Sequence, residues 1–223
     1  MPRQLAFDLP VRTALGRGDF FVSPSNALAV AQIDGGGWPE GKLLLVGPEG
    51  AGKSHLAQVW AGENDAQVLS AAARAERPVE AIAVVVEDAD RIAKDRAAET
   101  ALFHLHNHVL SRRGRLLVTA ATPPRQWGLC LPDLASRMEA TAVAEIAAPD
   151  DALLAAVMVK LFADRQIVVA PSLIPWLVRR MDRSFASARA IVAELDARAL
   201  AHGGPVTREM ARDALDLCSQ QGS

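Results

Sequence analysis

Residues 42–56 read Lys42-Leu43-Leu44-Leu45-Val46-Gly47-Pro48-Glu49-Gly50-Ala51-Gly52-Lys53-Ser54-His55-Leu56, and this stretch decides the fold. An apolar run with strand character ends at Gly47, and the pattern G-x-x-x-x-G-K-[ST] follows with a helix behind it. Glycines let a backbone wrap closely around a phosphate chain, so that successive N–H groups point inward as an anion nest. The helix that begins near Lys53 adds the positive end of its dipole. Lys53 supplies a point charge for the outer phosphates, and the Ser54 hydroxyl is placed to ligate Mg²⁺. The expected ligand is a nucleoside di- or triphosphate, ADP or ATP, held by Gly47, Pro48, Glu49, Gly50, Ala51, Gly52, Lys53, Ser54 and His55.

Working outward, the 223 residues suffice for one core and a smaller appended piece. Half of them are hydrophobic and 22% charged, which is a globular composition. A net charge of −2 provides no overall basic field, so any contact with DNA has to be local or made through a partner. Cys130 and Cys218 lack metal or redox spacing and read as small buried hydrophobes in a cytoplasmic protein. No signal peptide or membrane span is expected.

Residues 1–19 have extended character, and Gln4 to Leu9 alternates apolar and polar side chains. Ser25 is positioned to cap a helix over 26–33, which the glycines at 35–37 break. Strands are expected over 43–46, 66–70, 81–86, 115–121 and 142–146. Helices are expected over 53–61, 97–113 and 131–138, with Gly114 ending the second of these and a loop over 71–78. The alternation predicts a doubly wound α/β sheet, five-stranded and parallel, with its site at the carboxyl ends of the strands. Pro149-Asp150 marks a boundary. Helices over 151–166, 172–181, 184–201 and 207–218 then form a helical lid. The expected organisation is an extended segment 1–19, a nucleotide-binding α/β domain 20–149 and a lid 150–223.

Val84-Val85-Val86-Glu87-Asp88 delivers acidic groups to the edge where Mg²⁺ would sit. If Glu87 is the first acid, it holds the metal's water shell and Asp88 polarises an attacking water. If Asp88 is first, Ala89 stands in the catalytic slot. Neither pairing favours fast hydrolysis by this chain alone. Arg137, in Leu134-Ala135-Ser136-Arg137 at the end of a short helix, is either a finger reaching a neighbour's γ-phosphate or a solvated charge. Gln4 to Leu9 is either a peptide whose alternate side chains fill pockets on another protein or a terminal segment. Of His104, His106 and His108, the first and last share a helix face, but Leu105 stands in place of a zincin's Glu and no third ligand is evident, so they read as surface or core histidines. Arg112, Arg113 and Arg115 suit a helix C-terminus.

Taken in order, the phosphate loop, Glu87-Asp88, Ser136-Arg137 and the helical lid resemble an AAA+ ATPase of the initiator clade. More narrowly, the chain is similar to the Hda family, DnaA-related AAA+ regulators of bacterial replication initiation. Asp19-Phe20-Phe21-Val22-Ser23-Pro24-Ser25-Asn26 resembles the segment that lines the adenine pocket in DnaA-type proteins, which implies base contacts from Phe20, Val22 and Asn26. Gln4-Leu5-Ala6-Phe7-Asp8-Leu9 is similar to a sliding-clamp-binding peptide, which implies clamp contacts from Gln4, Leu5, Phe7 and Leu9. The resemblance implies a cytoplasmic, replisome-associated protein whose partners are the DnaA initiator and the β sliding clamp of DNA polymerase. DNA would be reached mainly through the clamp, a homo-oligomer is allowed, and no membrane is involved. Arg137 would act in trans on the ATP of DnaA. Ala121 and Ala186 stand where sensor groups are expected, leaving Thr119, Arg183 and Arg189 as sensor candidates. A helicase loader of the DnaC type is the alternative on the same core.

Overall fold

The computed structural model describes residues 21–72 and 79–221, with side chains to Cys218. The candidate clamp residues Gln4, Leu5, Phe7 and Leu9, and Phe20, lie outside the described residues.

Five strands, β1 (Lys42–Val46), β2 (Gln67–Ser70), β3 (Ala83–Glu87), β4 (Arg115–Ala120) and β5 (Val143–Glu145), form one parallel sheet. Their order is β2-β3-β4-β1-β5. α1 (Ala27–Gly35) precedes β1, and α2 (Lys53–Glu63), α3 (Arg96–Ser111) and α4 (Pro132–Glu139) run between the strands. Alternation along each strand divides the apolar side chains between two faces. Leu43, Leu45, Val85 and Leu117 pack with Ile33, Leu56 and Trp60 of α1 and α2. Leu44, Val84, Val86, Leu116 and Val118 pack with Leu102, Val109, Leu134 and Met138 of α3 and α4. Both faces are covered, which is why these strands read as continuous apolar runs.

The lid comprises α5 (Asp151–Asp164), α6 (Leu173–Val178), α7 (Phe185–His202) and α8 (Arg208–Gln221). It has its own core, including Leu154, Met158, Trp176, Leu177, Ile191, Leu195 and Ala214. No helix among the described residues is long and apolar enough to cross a membrane.

Several local expectations are corrected. Ser25 does not cap α1, because its hydroxyl bonds the Ser23 hydroxyl at 2.7 Å and the N-cap position falls on Asn26. Gly114 is not the left-handed residue that ends α3; Arg113 is, at φ 55°. Gly114 is required for close approach instead, since a Cβ there would stand 2.3 Å from the Ile82 carbonyl oxygen. The third strand starts at Ala83 rather than residue 81, and Ile82 is exposed. Cys130 is exposed, not buried, whereas Cys218 packs against the lid core, where burial pushes its thiol pKa up.

Asp150 opens the lid as the N-cap of α5, its carboxylate accepting from the Leu153 N–H at 2.8 Å. That bond is the main cause holding its carboxyl below the usual aspartate range. With the folded pKa depressed, the contribution is present above the ordinary aspartate value and lost as the pH falls through the lower folded one. Asp150→Ala is expected to cost ~1 kcal/mol, which thermal denaturation at pH 7 would read as a loss of about 2–4 °C. The difference from the parent protein should shrink in acid.

Candidate functional site

The phosphate loop leaves β1 at its carboxyl end. Gly50 and Gly52 adopt φ 73° and 97°, values that side-chain-bearing residues rarely take. Gly47 is needed for a different reason, because a Cβ there would lie 2.3 Å from the Ile146 carbonyl oxygen of the neighbouring chain segment. Gly52 is the N-cap of α2, whose leading N–H groups have no intrahelical acceptor. The sequence thus folds into a concave loop with donors converging on it.

Lys53 is 7% exposed and lies along the loop, its ammonium donating to the carbonyls of Gly47 at 2.6 Å and Pro48 at 2.9 Å. Burial pushes its pKa down, and the carboxylates of Asp88, Asp90 and Glu49 pull it back up. Ser54 is exposed beside it, His55 is half-buried, and Ala51 is packed beneath the loop. These residues fit a polyphosphate. The loop supplies a concave backbone, the helix a positive end and Lys53 a charge that is costly to leave without an anion.

The acidic edge is built at the end of β3. Glu87 is half-buried, and its Oε1 is shielded from solvent without a hydrogen-bond partner among the described residues. A shielded carboxylate oxygen of that kind needs a cation or a donor, and it suits the shell of a metal ion held jointly with Ser54. Asp88 turns the chain in a left-handed conformation, φ 56° and ψ 47°. Its N–H donates to the Thr119 hydroxyl at 3.1 Å. Thr119 is fully buried, so this sensor candidate meets the backbone of Asp88 and offers no exposed group.

Two residues of this edge escaped sequence reasoning. Asp90 accepts from the Ala121 N–H at 3.0 Å, fastening the acidic turn to the end of β4. Arg91 reaches Glu49 of the phosphate loop at 2.7 Å and Asp88 at 3.7 Å, so the loop and the acidic edge are tied by one guanidinium. A basic residue three places after an acidic pair carries no recognisable signal, and only the fold brings Glu49 to it.

The lid closes on the loop through Ser184 and Phe185. The Phe185 N–H donates to the Gly50 carbonyl at 3.0 Å. A Cβ on Gly50 would meet the Ser184 side chain at 2.5 Å, and one on Gly52 the Phe185 ring at 2.9 Å. The loop glycines are therefore fixed by the lid as well as by their dihedral angles. Arg183 is turned away to Asp151, 2.8 Å distant. Arg189 is exposed on α7, four residues beyond Phe185.

In the segment expected to contact the base, Val22 is exposed. Asn26 is buried and engaged within the segment: its Oδ1 accepts from the Ser23 N–H and its Nδ2 donates to the Phe21 carbonyl, each at 2.9 Å. Asn26 thus shapes the segment, and the Ser25 carbonyl ties it to the chain after β5 by accepting from the Ala147 N–H at 3.0 Å.

Arg137 is not beside the loop. It is exposed in the last turn of α4, its guanidinium carbon 5.1 Å from the centre of the Phe103 ring on α3. It lies close enough to Glu40 to help hold that carboxyl below its usual range, although Lys42 is the main cause. Glu40 precedes β1 and the loop follows it, so Arg137 belongs to the opposite edge of the sheet. The five residues of β1 put about 17 Å between the two edges.

The position of α4 depends on a residue that polarity hid. Glu99 occupies the core-facing stripe of α3 with Leu102, His106 and Val109, and is fully buried. Its carboxylate accepts from the N–H groups of Lys94 at 3.0 Å, Cys130 at 2.9 Å and Leu131 at 2.7 Å. Those last two lead directly into α4. The three histidines of α3 do not converge: His106 faces the core, where burial lowers its pKa, while His104 and His108 are exposed. Of the basic turn, Arg112 donates to the Glu80 carbonyl at 3.0 Å, and Arg115 bonds Asn64 and lies over Trp60.

No family model matches the sequence. Among solved structures, the chain is similar to domain III of the Thermotoga maritima replication initiation protein DnaA, with a TM-score of 0.80 at 16% identity over 93% of this chain and 98% of that one. It is also similar to AMPPCP-bound DnaA from Aquifex aeolicus, with a TM-score of 0.68 at 16% identity, covering 82% of this chain and 65% of that one. The Thermotoga maritima RuvB Holliday junction branch migration motor gives 0.61 at 17% identity, with 86% and 65% covered. The chain thus spans just under two thirds of the longer DnaA and RuvB chains. Parallel sheet, phosphate loop and helical lid together give this chain the AAA+ fold, in the arrangement seen in domain III of DnaA.

Proposed function

We propose that this chain is a nucleotide-holding regulator of replication initiation that stimulates hydrolysis of the ATP bound to DnaA. The observation that carries the reading is the separation of two half-sites on opposite edges of one sheet. One edge has a loop suited to a nucleotide, and the other an exposed arginine with no nucleotide site of its own to serve. Arg137 would stabilise charge that develops on the partner's transferring phosphoryl group.

The chain's own site is suited to holding rather than turning over. Ser54 and Glu87 would hold Mg²⁺, which screens phosphate charge when bound. Glu87 is a long first acid, Asp88 is tied to Arg91, Ala186 offers no charge, and Thr119 is buried. Arg189 is better placed than Arg183 to meet a nucleotide, since Arg183 pairs with Asp151. Val22 and Phe20 would flank the base, with Asn26 shaping their segment. The nucleotide is ADP or ATP, a class supported by the AMPPCP-bound DnaA structures among the similar folds. Gln4, Leu5, Phe7 and Leu9 would tether the protein to the β sliding clamp. The DnaC-type loader reading is less suited to these sensor positions.

The test is reconstitution with ADP, DNA-loaded clamp and DnaA–ATP. Arg137→Ala is expected to retain ADP and clamp binding yet lose about 10³-fold or more of the stimulated hydrolysis, the scale on which arginine fingers act. Gln4→Ala with Leu5→Ala should abolish clamp pull-down and leave ADP binding unchanged. Full stimulation by Arg137→Ala removes the proposed finger, and a wild-type protein that ignores the clamp removes the tether.

A further inference from the structure

The lid carries a charged surface that the regulatory reading does not use. Arg179 and Arg180 at the end of α6, and Arg208 and Arg212 on α8, surround Trp176. The guanidinium carbons of Arg180 and Arg208 lie 4.5 Å and 5.0 Å from the Trp176 ring centre. Arg180 is further fixed by donating to the Trp176 carbonyl at 3.1 Å. Stacking on an indole holds a guanidinium plane in place while its N–H edge stays available for an anion.

Three other lid arginines are neutralised. Arg165 pairs with Asp196 at 3.6 Å, Arg183 with Asp151 at 2.8 Å, and Arg198 with Glu194 at 2.6 Å and Asp213 at 3.1 Å. Among the described residues, none of the four around Trp176 forms such a pair. They flank two adjoining grooves, of about 570 Å³ and about 220 Å³, which share Trp176 and Arg208. Asp216 on the larger groove offsets one charge, and Glu209 is exposed next to Arg208.

We propose that this lid surface binds the phosphodiester backbone of nucleic acid directly, without reading sequence. A protein ligand needs apolar anchors buried in pockets. The larger groove is lined by Arg180, Arg208, Arg212 and Asp216 around Trp176 and Leu215, each 8% exposed, so the surface it presents is mostly polar, while the smaller groove adds Ala170, Leu173 and Val206. The cations are all arginines, whose planar forks match phosphate oxygens bidentately. Trp176 is covered by its own arginines and leaves no face for a base, so recognition is of the backbone alone. The chain's net charge of −2 provides no overall basic field, so DNA contact has to be local, as this patch would be. The proposal stands independently of the clamp peptide and of Arg137.

The test titrates the full chain, loaded with ADP, against a fluorescent 20-bp duplex over a range of salt. Three to four phosphate contacts give a slope of log K on log salt of about −2.7 to −3.6. The steeper value corresponds to roughly a 150-fold loss between 50 and 200 mM salt. Arg208→Gln with Arg212→Gln should reduce the slope by about 1.8, and Arg208→Lys with Arg212→Lys should restore it. Arg96→Gln with Arg125→Gln changes the total charge equally away from the lid and should leave the slope alone. Circular dichroism checks that the Gln variant is folded; if it is not, the wild-type slope and the Lys variant decide. No binding at 50 mM salt, an unchanged slope in the folded Gln variant, or equal competition by poly-glutamate would each overturn the proposal, the last by assigning the grooves to an acidic protein.

Discussion

Lys53→Ala is expected to raise the Kd for ADP from about 30-fold to several thousand-fold, measured by calorimetry. Truncating one member of a desolvated, hydrogen-bonded charge pair costs about 2–5 kcal/mol, and each 1.4 kcal/mol is a factor of ten. Lys53 qualifies because it is buried, is pushed toward its neutral form by that burial, and is fixed on the loop by Gly47 and Pro48. An anion delivered to the loop would relieve the cost of burying the ammonium, so the side chain and the ligand stabilise one another. The surface pair Glu49–Arg91 is a contrasting control. Both groups are exposed, and Arg91→Ala should change affinity by no more than about 1 kcal/mol. Unchanged ADP affinity in Lys53→Ala would remove the nucleotide assignment from the loop altogether.

Glu99→Ala is expected to destabilise the protein by about 3–5 kcal/mol, in the range for stripping the partner from buried polar groups. Three backbone N–H groups lose their acceptor at once, and the core gains a cavity. Thermal unfolding should fall by roughly 6–20 °C for a chain of this length. Glu99→Gln is not a mild alternative. Oε2 accepts from both Cys130 and Leu131, and Oε1 from Lys94 and Cys130, so either orientation of an amide sets its NH₂ against two donors. A loss below about 1 kcal/mol in both variants would show that the carboxylate is dispensable. Hydrogen exchange should place the damage at residues 130–139, where the chain enters and forms α4.

The sheet was legible because its strands are buried on both faces, and Ala83–Val86 and Leu116–Val118 have few other ways to be satisfied. The phosphate loop was legible because its glycines and Lys53 answer to one ligand chemistry at one spacing. Positions decided by distant contacts were not. Nothing in Ala89-Asp90-Arg91 announces a bridge to Glu49, and nothing in Ser184-Phe185 announces a seat on Gly50. Glu99 and His106 were hidden for another reason: an apolar periodicity skips polar residues, although both occupy the inward stripe of α3. Arg137 sits at the end of the helix that leads into β5, and in a parallel sheet such a crossover helix ends beside the amino ends of the strands, opposite the phosphate loop.

The bond between the Phe185 N–H and the Gly50 carbonyl has a mechanical corollary. It sits at the foot of α7, a rod of 18 residues and therefore about 27 Å long. Pivoting that rod by roughly 10° at its foot sweeps its tip, near Leu200 and His202, through about 5 Å. A small adjustment of the phosphate loop that pivoted α7 at this bond would become a displacement as large as a side chain at the remote end of the lid.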